Sequence, residues 1–212
     1  MPSRDCGGPS DVPLPRSFYD RPTLRVAEEL VGKVLVHQRR GVRTSGVIVE
    51  VEAYIGESDP ACHAAPGRTR RNAPLYGAPG YSYVYLNYGI HCLVNVVTEA
   101  KDRPAAVLLR ALAPLDGIGA MRRRRTRAAK GRRQLNPALL PDASLCRGPG
   151  NLTVAMGISL AENQLDLTGG QLYVEDRRVE VGPLQWGPRI GIRVGTEQPW
   201  RAFVEGHEAV SR

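Results

Sequence analysis

The chain is expected to fold as a single α+β domain in which helices surround a curved, mainly antiparallel sheet that carries a protruding hairpin. Three observations predict this. Short β-type runs follow one another across Gly-containing turns, stripes with helical period precede and interrupt them, and 212 residues suffice for one substantial core but not for two. The expected organisation is a loose leader over residues 1–14 and one domain over 15–212. The leader has Pro, Gly and an acid but no apolar stretch, so it does not read as a secretory signal. No apolar run approaches the roughly 18 residues that suggest a membrane span. These readings predict a cytoplasmic protein, nucleoid-associated if bacterial.

Taken in order, SFYDRPTLRVAEELVG predicts a helix with Asp20 as N-cap, Pro22 in the first turn, and a stripe of Leu24, Val26, Ala27, Leu30 and Val31 ending at Gly32. KVLVHQRR and VIVEVEAYIG read as two strands joined through GVRTSG. In the second, period-two alternation sends Val47, Val49, Val51, Ala53 and Ile55 to one face and Ile48, Glu50, Glu52 and Tyr54 to the other. GESDPACHAAPGRTRRNAPLYGAPG has no sustained period and predicts a long ordered loop, a feature usually tied to function in a compact domain. YSYVYLNYGIHCLVNVV reads as a hairpin with Tyr88 near its tip and Tyr81, Tyr83 and Tyr85 on one face. AAVLLRALAP is a strand interrupted by Arg110, PLDGIGAMRRRRTRAAKG a helix, and LYVEDRRVEV and PRIGIRVG further short strands.

The net charge of +8 is concentrated. Segment 121–133 holds eight of the 29 basic residues and no acid, leaving 21 basic against 21 acidic residues elsewhere. Such a patch suits a polyanion, because Lys and Arg displace counterions from phosphates, although a charge run is often only a solvated helix face. Cys6, Cys62, Cys92 and Cys146 form no C-x-x-C pair, which argues against a disulfide scaffold or zinc knuckle. Cys62-His63 and His91-Cys92 supply four potential ligands, but strand neighbours point to opposite faces, so no metal is expected.

Glu50 and Glu52 suggest a sugar-cleaving carboxyl pair, yet both flank one side of a bond that must be attacked from opposite sides. One of them is therefore expected to be structural. Five of the eight tyrosines lie between positions 76 and 88. Most of such a cluster is expected in the core, whereas Tyr88 at a hairpin tip could wedge between base pairs and fill the gap left by an extruded nucleotide.

VEVEAYIG, DPACH, GRTRRN, YVYLNYGIHCLVNVV, LLRALAP and GPGNL, with PRIGI and WRAFVEG, occur in the order and near the spacing of the alkyladenine (3-methyladenine, methylpurine) DNA glycosylases, and nearly the whole chain resembles that family. The resemblance implies a monofunctional base-excision repair enzyme. It would flip alkylated or deaminated purines from duplex DNA through the minor groove, as a monomer, and hydrolyse the N-glycosidic bond without metal or cofactor.

By that resemblance, Glu52 is the general base and Arg110 helps hold the attacking water and the carboxylate. Tyr54, His63 and Tyr85 are the aromatic walls around the flipped base, with His63 also bonding its edge. Asn95 crowds the 2-amino group of guanine, Tyr88 intercalates, and Ile90 helps open the minor groove. Backbone contacts are expected from Arg122, Arg123, Arg124, Arg125 and Asn151. The chain departs from the family at Asn151, where Lys is common, and in the weight of its arginine run. A non-catalytic nucleic-acid-binding protein explains the charge and Tyr88 but has no use for Glu52 with Arg110. A carbohydrate hydrolase explains the carboxylates but not the basic patch.

Overall fold

The computed structural model describes residues 12–129 and 139–211. Four helices, α1 (Arg16–Tyr19), α2 (Thr23–Leu30), α3 (Ile118–Ala128) and α4 (Pro149–Met156), accompany eight strands among these residues. The strands are β1 (Val34–Arg39), β2 (Val42–Ile55), β3 (Ser82–Asn87), β4 (His91–Val97), β5 (Ala105–Pro114), β6 (Leu172–Glu175), β7 (Leu184–Gly187) and β8 (Arg201–Val204). They form one curled antiparallel sheet in the order β3-β4-β5-β2-β1-β6. The long β2 pairs with β5 along one edge, while β1 and then β8, itself paired with β7, share the other. The expected α+β architecture is therefore present.

Several local expectations are corrected. The first predicted helix is two: Asp20 ends α1, and Pro22 rather than Asp20 is the N-cap of α2. Pro22 offers no side-chain acceptor, and Glu99 takes that role from a distant turn, accepting from the Thr23 N–H at 3.3 Å and its hydroxyl at 2.6 Å. The first hairpin turns at Arg40-Gly41, whose φ angles of 50° and 75° suit a tight primed turn, so the VRTSG that follows belongs to β2. Within the expected leader, Pro13 bridges Glu175 and Leu14 N–H donates to Val174 O at 2.8 Å. PRIGIRVG is a loop between β7 and β8, and GPGNL starts a helix the sequence reading did not anticipate.

The helices cover one face of the sheet. Val26, Ala27 and Leu30 of α2, Met121 of α3, and Leu152, Ala155 and Met156 of α4 meet Leu35, Val84, Val94, Val96, Val107 and Leu109 in the main core. A smaller cluster, with Val34, Val36, Val47, Val49, Ala111 and Tyr173, lies on the opposite face. Ile48 and Val51 both belong to the main core, as do Leu109 and Leu112. Simple alternation would separate residues three apart. The β2–β5 ladder is irregular between Ile48 and Val51, so both strands slip phase at the same level. The expected grouping of Val47 and Val49 with Val51 and Ala53 thus fails, and Ile48 does not share a face with Glu50, Glu52 and Tyr54.

Candidate active site

The face away from the helices opens into a cavity of about 350 Å³. Alternation along three strands builds it: β3 presents Tyr83 and Tyr85, β4 Leu93 and Asn95, and β5 Ala106, Leu108 and Arg110. Tyr54 closes one side, Ala61–His63 and Leu75 of the long loop another, and Ile190–Ile192 a third, with Tyr88 and Pro149 at the hairpin end. The loop holds its shape through buried Asn72. Its amide donates to the carbonyls of His63 at 2.7 Å and Gly67 at 2.8 Å and accepts from Thr69 N–H at 2.6 Å.

Glu52 is wholly buried behind this wall. One carboxylate oxygen accepts Ile190 N–H at 2.7 Å and lies 3.2 Å from Arg110 Nη1; the other accepts the Tyr54 hydroxyl at 2.8 Å. These two donors and the paired arginine all belong to residues that line the cavity. Glu50 is equally buried and shares the same arginine, whose Nε donates to it at 3.1 Å. Both carboxylates are thus on one face, as the alternation predicted, with Arg110 between them. Burial and then the Glu52 charge push the Tyr54 phenol well above its ordinary range, so it stays a neutral donor.

Tyr54, His63 and Tyr85 all line the cavity. His63 lies 4.4 Å from Tyr85, ring centre to ring centre, and its Nδ1 is 2.9 Å from the Tyr83 hydroxyl. Burial and then Arg71 lower the His63 pKa, and burial raises Tyr83 to about 12, so both are uncharged at neutral pH. Asn95 Nδ2 donates to Tyr83 O at 3.0 Å, fixing the amide against the cavity. Tyr81 does not join the group; it lies 4.9 Å beneath the Arg16 guanidinium. Cys62 lines the cavity beside His63, but burial lifts its thiol to about 11, leaving it protonated.

Tyr88 is the outlier among the tyrosines, 84% exposed at the β3–β4 tip with a φ of 48°, and Ile90 beside it is 61% exposed. A tyrosine in left-handed backbone with its ring in solvent is a costly arrangement on both counts. Beside the turn of this hairpin Gly150 admits the close approach of α4, since a Cβ there would lie 2.9 Å from the His91 ring. Asn151 is exposed in the first turn of α4, next to Pro149 at the cavity mouth, and its amide donates to Arg147 O at 2.7 Å.

The arginine run is not the free patch the composition suggested. Helix α3 lies on the helix-covered face, where Arg124 donates to Ala155 O at 2.9 Å and Arg125 to the carbonyls of Ser144 and Leu145. Arg122 donates to Leu140 O at 2.7 Å and pairs with Asp142, which leaves Arg123 as the exposed member of the four. These guanidiniums tie α3 to the segment before α4 and to the end of α4. Lys130, Arg132 and Arg133, also part of the predicted patch, lie outside the described residues.

A second arginine group was missed: Arg68, Arg70 and Arg71 are exposed on the loop that carries His63, and Arg71 donates to Leu86 O at 3.3 Å. Their proximity in sequence to His63 was the available signal. Arg189 was also missed. It is buried on Asp59 at 2.6 and 2.9 Å, 4.8 Å from the Tyr54 ring, and no charge pattern in the sequence marks it.

With this geometry in view, comparison with known proteins is informative. A sequence model of the methylpurine-DNA glycosylases matches residues 17–208. Several relatives carry the name "Putative 3-methyladenine DNA glycosylase". That of Burkholderia lata is 45% identical, aligning 93% of this chain with 90% of its own. That of Methanocella arvoryzae is 44% identical, over 94% and 96%, and that of Rhodopseudomonas palustris 46%, over 99% and 95%. The match spans every strand and helix that shapes the cavity, and the chain belongs to the methylpurine-DNA glycosylase family.

Proposed function

We propose that this DNA glycosylase acts on duplex DNA from the minor groove as a monomer, flips alkylated or deaminated purines such as 3-methyladenine, 7-methylguanine, hypoxanthine and ethenoadenine into the cavity, and leaves an abasic site. One observation carries the reading. An aromatic cavity has a buried, arginine-paired carboxylate against its wall and an exposed tyrosine on the hairpin at its mouth. Neither a simple binding module nor a carbohydrate hydrolase needs that combination.

In this reading Tyr88 enters the stack as the base leaves it, while Ile90 holds the groove open. The extruded purine lies among Tyr54, His63 and Tyr85, whose faces favour cationic, electron-poor rings. With the Tyr83 hydroxyl donating to Nδ1, neutral His63 carries its proton on Nε2 and offers it to the base edge. Asn95, held by its bond to Tyr83 O, crowds a guanine 2-amino group.

Glu52 accepts two hydrogen bonds and has Arg110 Nη1 as an ion-pair partner at 3.2 Å, so of the about four lone-pair directions of a carboxylate one is left clear of all three groups. The remaining one receives a proton from water as the water oxygen bonds to C1′. The N-glycosidic bond breaks and the purine keeps its electron pair. An alkylated purine departs neutral, whereas hypoxanthine and ethenoadenine need protonation or hydrogen bonding and are the more pH-sensitive substrates. Among the described residues, Lys33 is paired with Asp176 and neither it nor Lys101 lines the cavity, in keeping with hydrolysis without a Schiff base. Phosphate contacts are assigned to Arg68, Arg70 and Arg71, with Arg123 and Asn151 secondary.

The test is incubation with duplexes carrying hypoxanthine, ethenoadenine or 3-methyladenine, then alkali. Strand breaks that require alkali and disappear in Glu52→Gln support the reading; intact DNA for all three lesions refutes it.

A further inference from the structure

We propose that Glu50 is a positioning residue, held by Arg201 and by Ser211, which fixes the orientation and the charge environment of Arg110 behind Glu52. The inference rests on Glu52 being the base. Glu50 has no exposed surface, and burying a carboxylate is costly unless it is paired and hydrogen-bonded. It is thoroughly bonded: it accepts from Arg110 Nε at 3.1 Å, Arg201 Nη1 at 2.9 Å, Ser211 N–H at 2.8 Å and the Ser211 hydroxyl at 2.9 Å. Arg110 Nη2 donates to the Ser211 hydroxyl at 3.1 Å. The three nitrogens of Arg110 are therefore divided among Glu50, Glu52 and Ser211.

That division has a chemical purpose. An arginine facing a single carboxylate tends to bind it bidentately, which would occupy the lone pair of Glu52 that a water needs. Glu50 holds Nε and Ser211 holds Nη2, so Glu52 receives Nη1.

Charge is balanced in the same way. Two carboxylates face two guanidiniums, because β8 pairs Arg201 opposite Glu52 in the sheet and delivers its side chain to Glu50. Ser211 is brought there by a return from β8 through buried Ala209, whose N–H donates to His207 Nδ1 at 3.1 Å. The other ionisable groups around Glu52 are Tyr54 on its own strand, Tyr85 on β3 and Arg189 in the loop after β7.

The test uses the full chain and single-turnover excision of hypoxanthine from duplex DNA across pH, with duplex affinity measured separately. Glu50→Gln removes a negative charge and should move the acid limb of the rate profile to lower pH by about one unit; Arg201→Gln removes a positive charge and should move it to higher pH by a similar amount. Plateau rates should fall about tenfold or more in both, with affinity within about twofold. Ser211→Ala is mild enough to fold and should lower the plateau about threefold through loss of the hydroxyl's bonds to Glu50 and Arg110, without moving the limb. Limbs that coincide with wild type, or move in the same direction, overturn the proposal while the wild-type activity and the inactive Glu52→Gln keep the catalytic reading intact. An inactive wild type overturns both.

Discussion

On the helix-covered face, β3, β4 and β5 present Val84, Val94, Val96, Val107 and Leu109 to the apolar sides of α2 and α4; one residue along each strand, the cavity face carries Tyr83, Tyr85, Asn95, Leu108 and Arg110. Both sets are largely buried. The difference is what burial requires of each: hydrocarbon needs only shape and close contact, whereas the carboxylates, guanidiniums and amide need specific partners. The helix side therefore holds the fold through many interchangeable contacts, and the cavity side holds its charges through a few that are not interchangeable.

The comparison is tested most severely at Glu52. Glu52→Gln should lower excision about a thousandfold, measured in single turnover, while shifting the melting temperature by only a few degrees. Leu109→Ala, on the other face, should do the reverse. A wholly buried leucine truncated in the main core should cost about 2–5 kcal/mol in denaturant unfolding, with the excision rate per folded molecule at low temperature within about twofold. If either variant lowered both quantities equally, the two faces would be acting as one unit.

Smaller effects sharpen the same division. Tyr88→Ala should slow excision about ten- to a hundredfold with no loss of stability, since the ring has almost no protein contact to lose. Exchanging Arg70 and Arg71 for Glu should weaken damaged and undamaged duplex alike and flatten the salt dependence of binding. Arg124→Ala should leave that salt dependence alone and lower stability by about 1–2 kcal/mol, because its guanidinium serves the Ala155 carbonyl.

The gentlest probe is pH, and each face has a histidine for it. His37, buried against Met156 O under the helices, and His63 in the cavity both have pKa values lowered chiefly by burial. The unfolded chain binds a proton at each near pH 6.5, before the folded protein does, so stability is full above that pH and declines as pH falls toward the lowered folded values. His37→Gln and His63→Gln should each flatten part of that decline in thermal unfolding, and only the second should also reduce excision.

How far the sequence disclosed this arrangement depended on the kind of signal. Glu52, Tyr54, Tyr85, Asn95 and Arg110 lie on strands, where period two carries them to one surface, and the structure gathers them around one cavity. His63 arrives from a loop whose order depends on Asn72, a single amide that composition does not reveal. The intramolecular bonds of the arginine run were not legible because a count of charges contains no direction: guanidiniums can turn back onto carbonyls as readily as toward a ligand. Ile190 was invisible as a partner of Glu52, because the group that matters there is a main-chain N–H, which every residue but proline possesses. The phase slip in β2 was equally hidden, since the alternation of Val, Ile and Glu continues unbroken through it.

That slip bears on how such a site passes from gene to gene. At one level of the sheet it places two successive residues of each strand away from the helices, Val49 with Glu50 on β2 and Arg110 with Ala111 on β5, so an apolar seal and a charge sit side by side. Loss of the Val49 codon alone would set one residue against two and push half the ladder out of step. The strands close evenly again if Arg110 or Ala111 is lost from β5 as well. Two distant stretches of the reading frame thus meet at this point, where the charged centre and its apolar seal depend on one register.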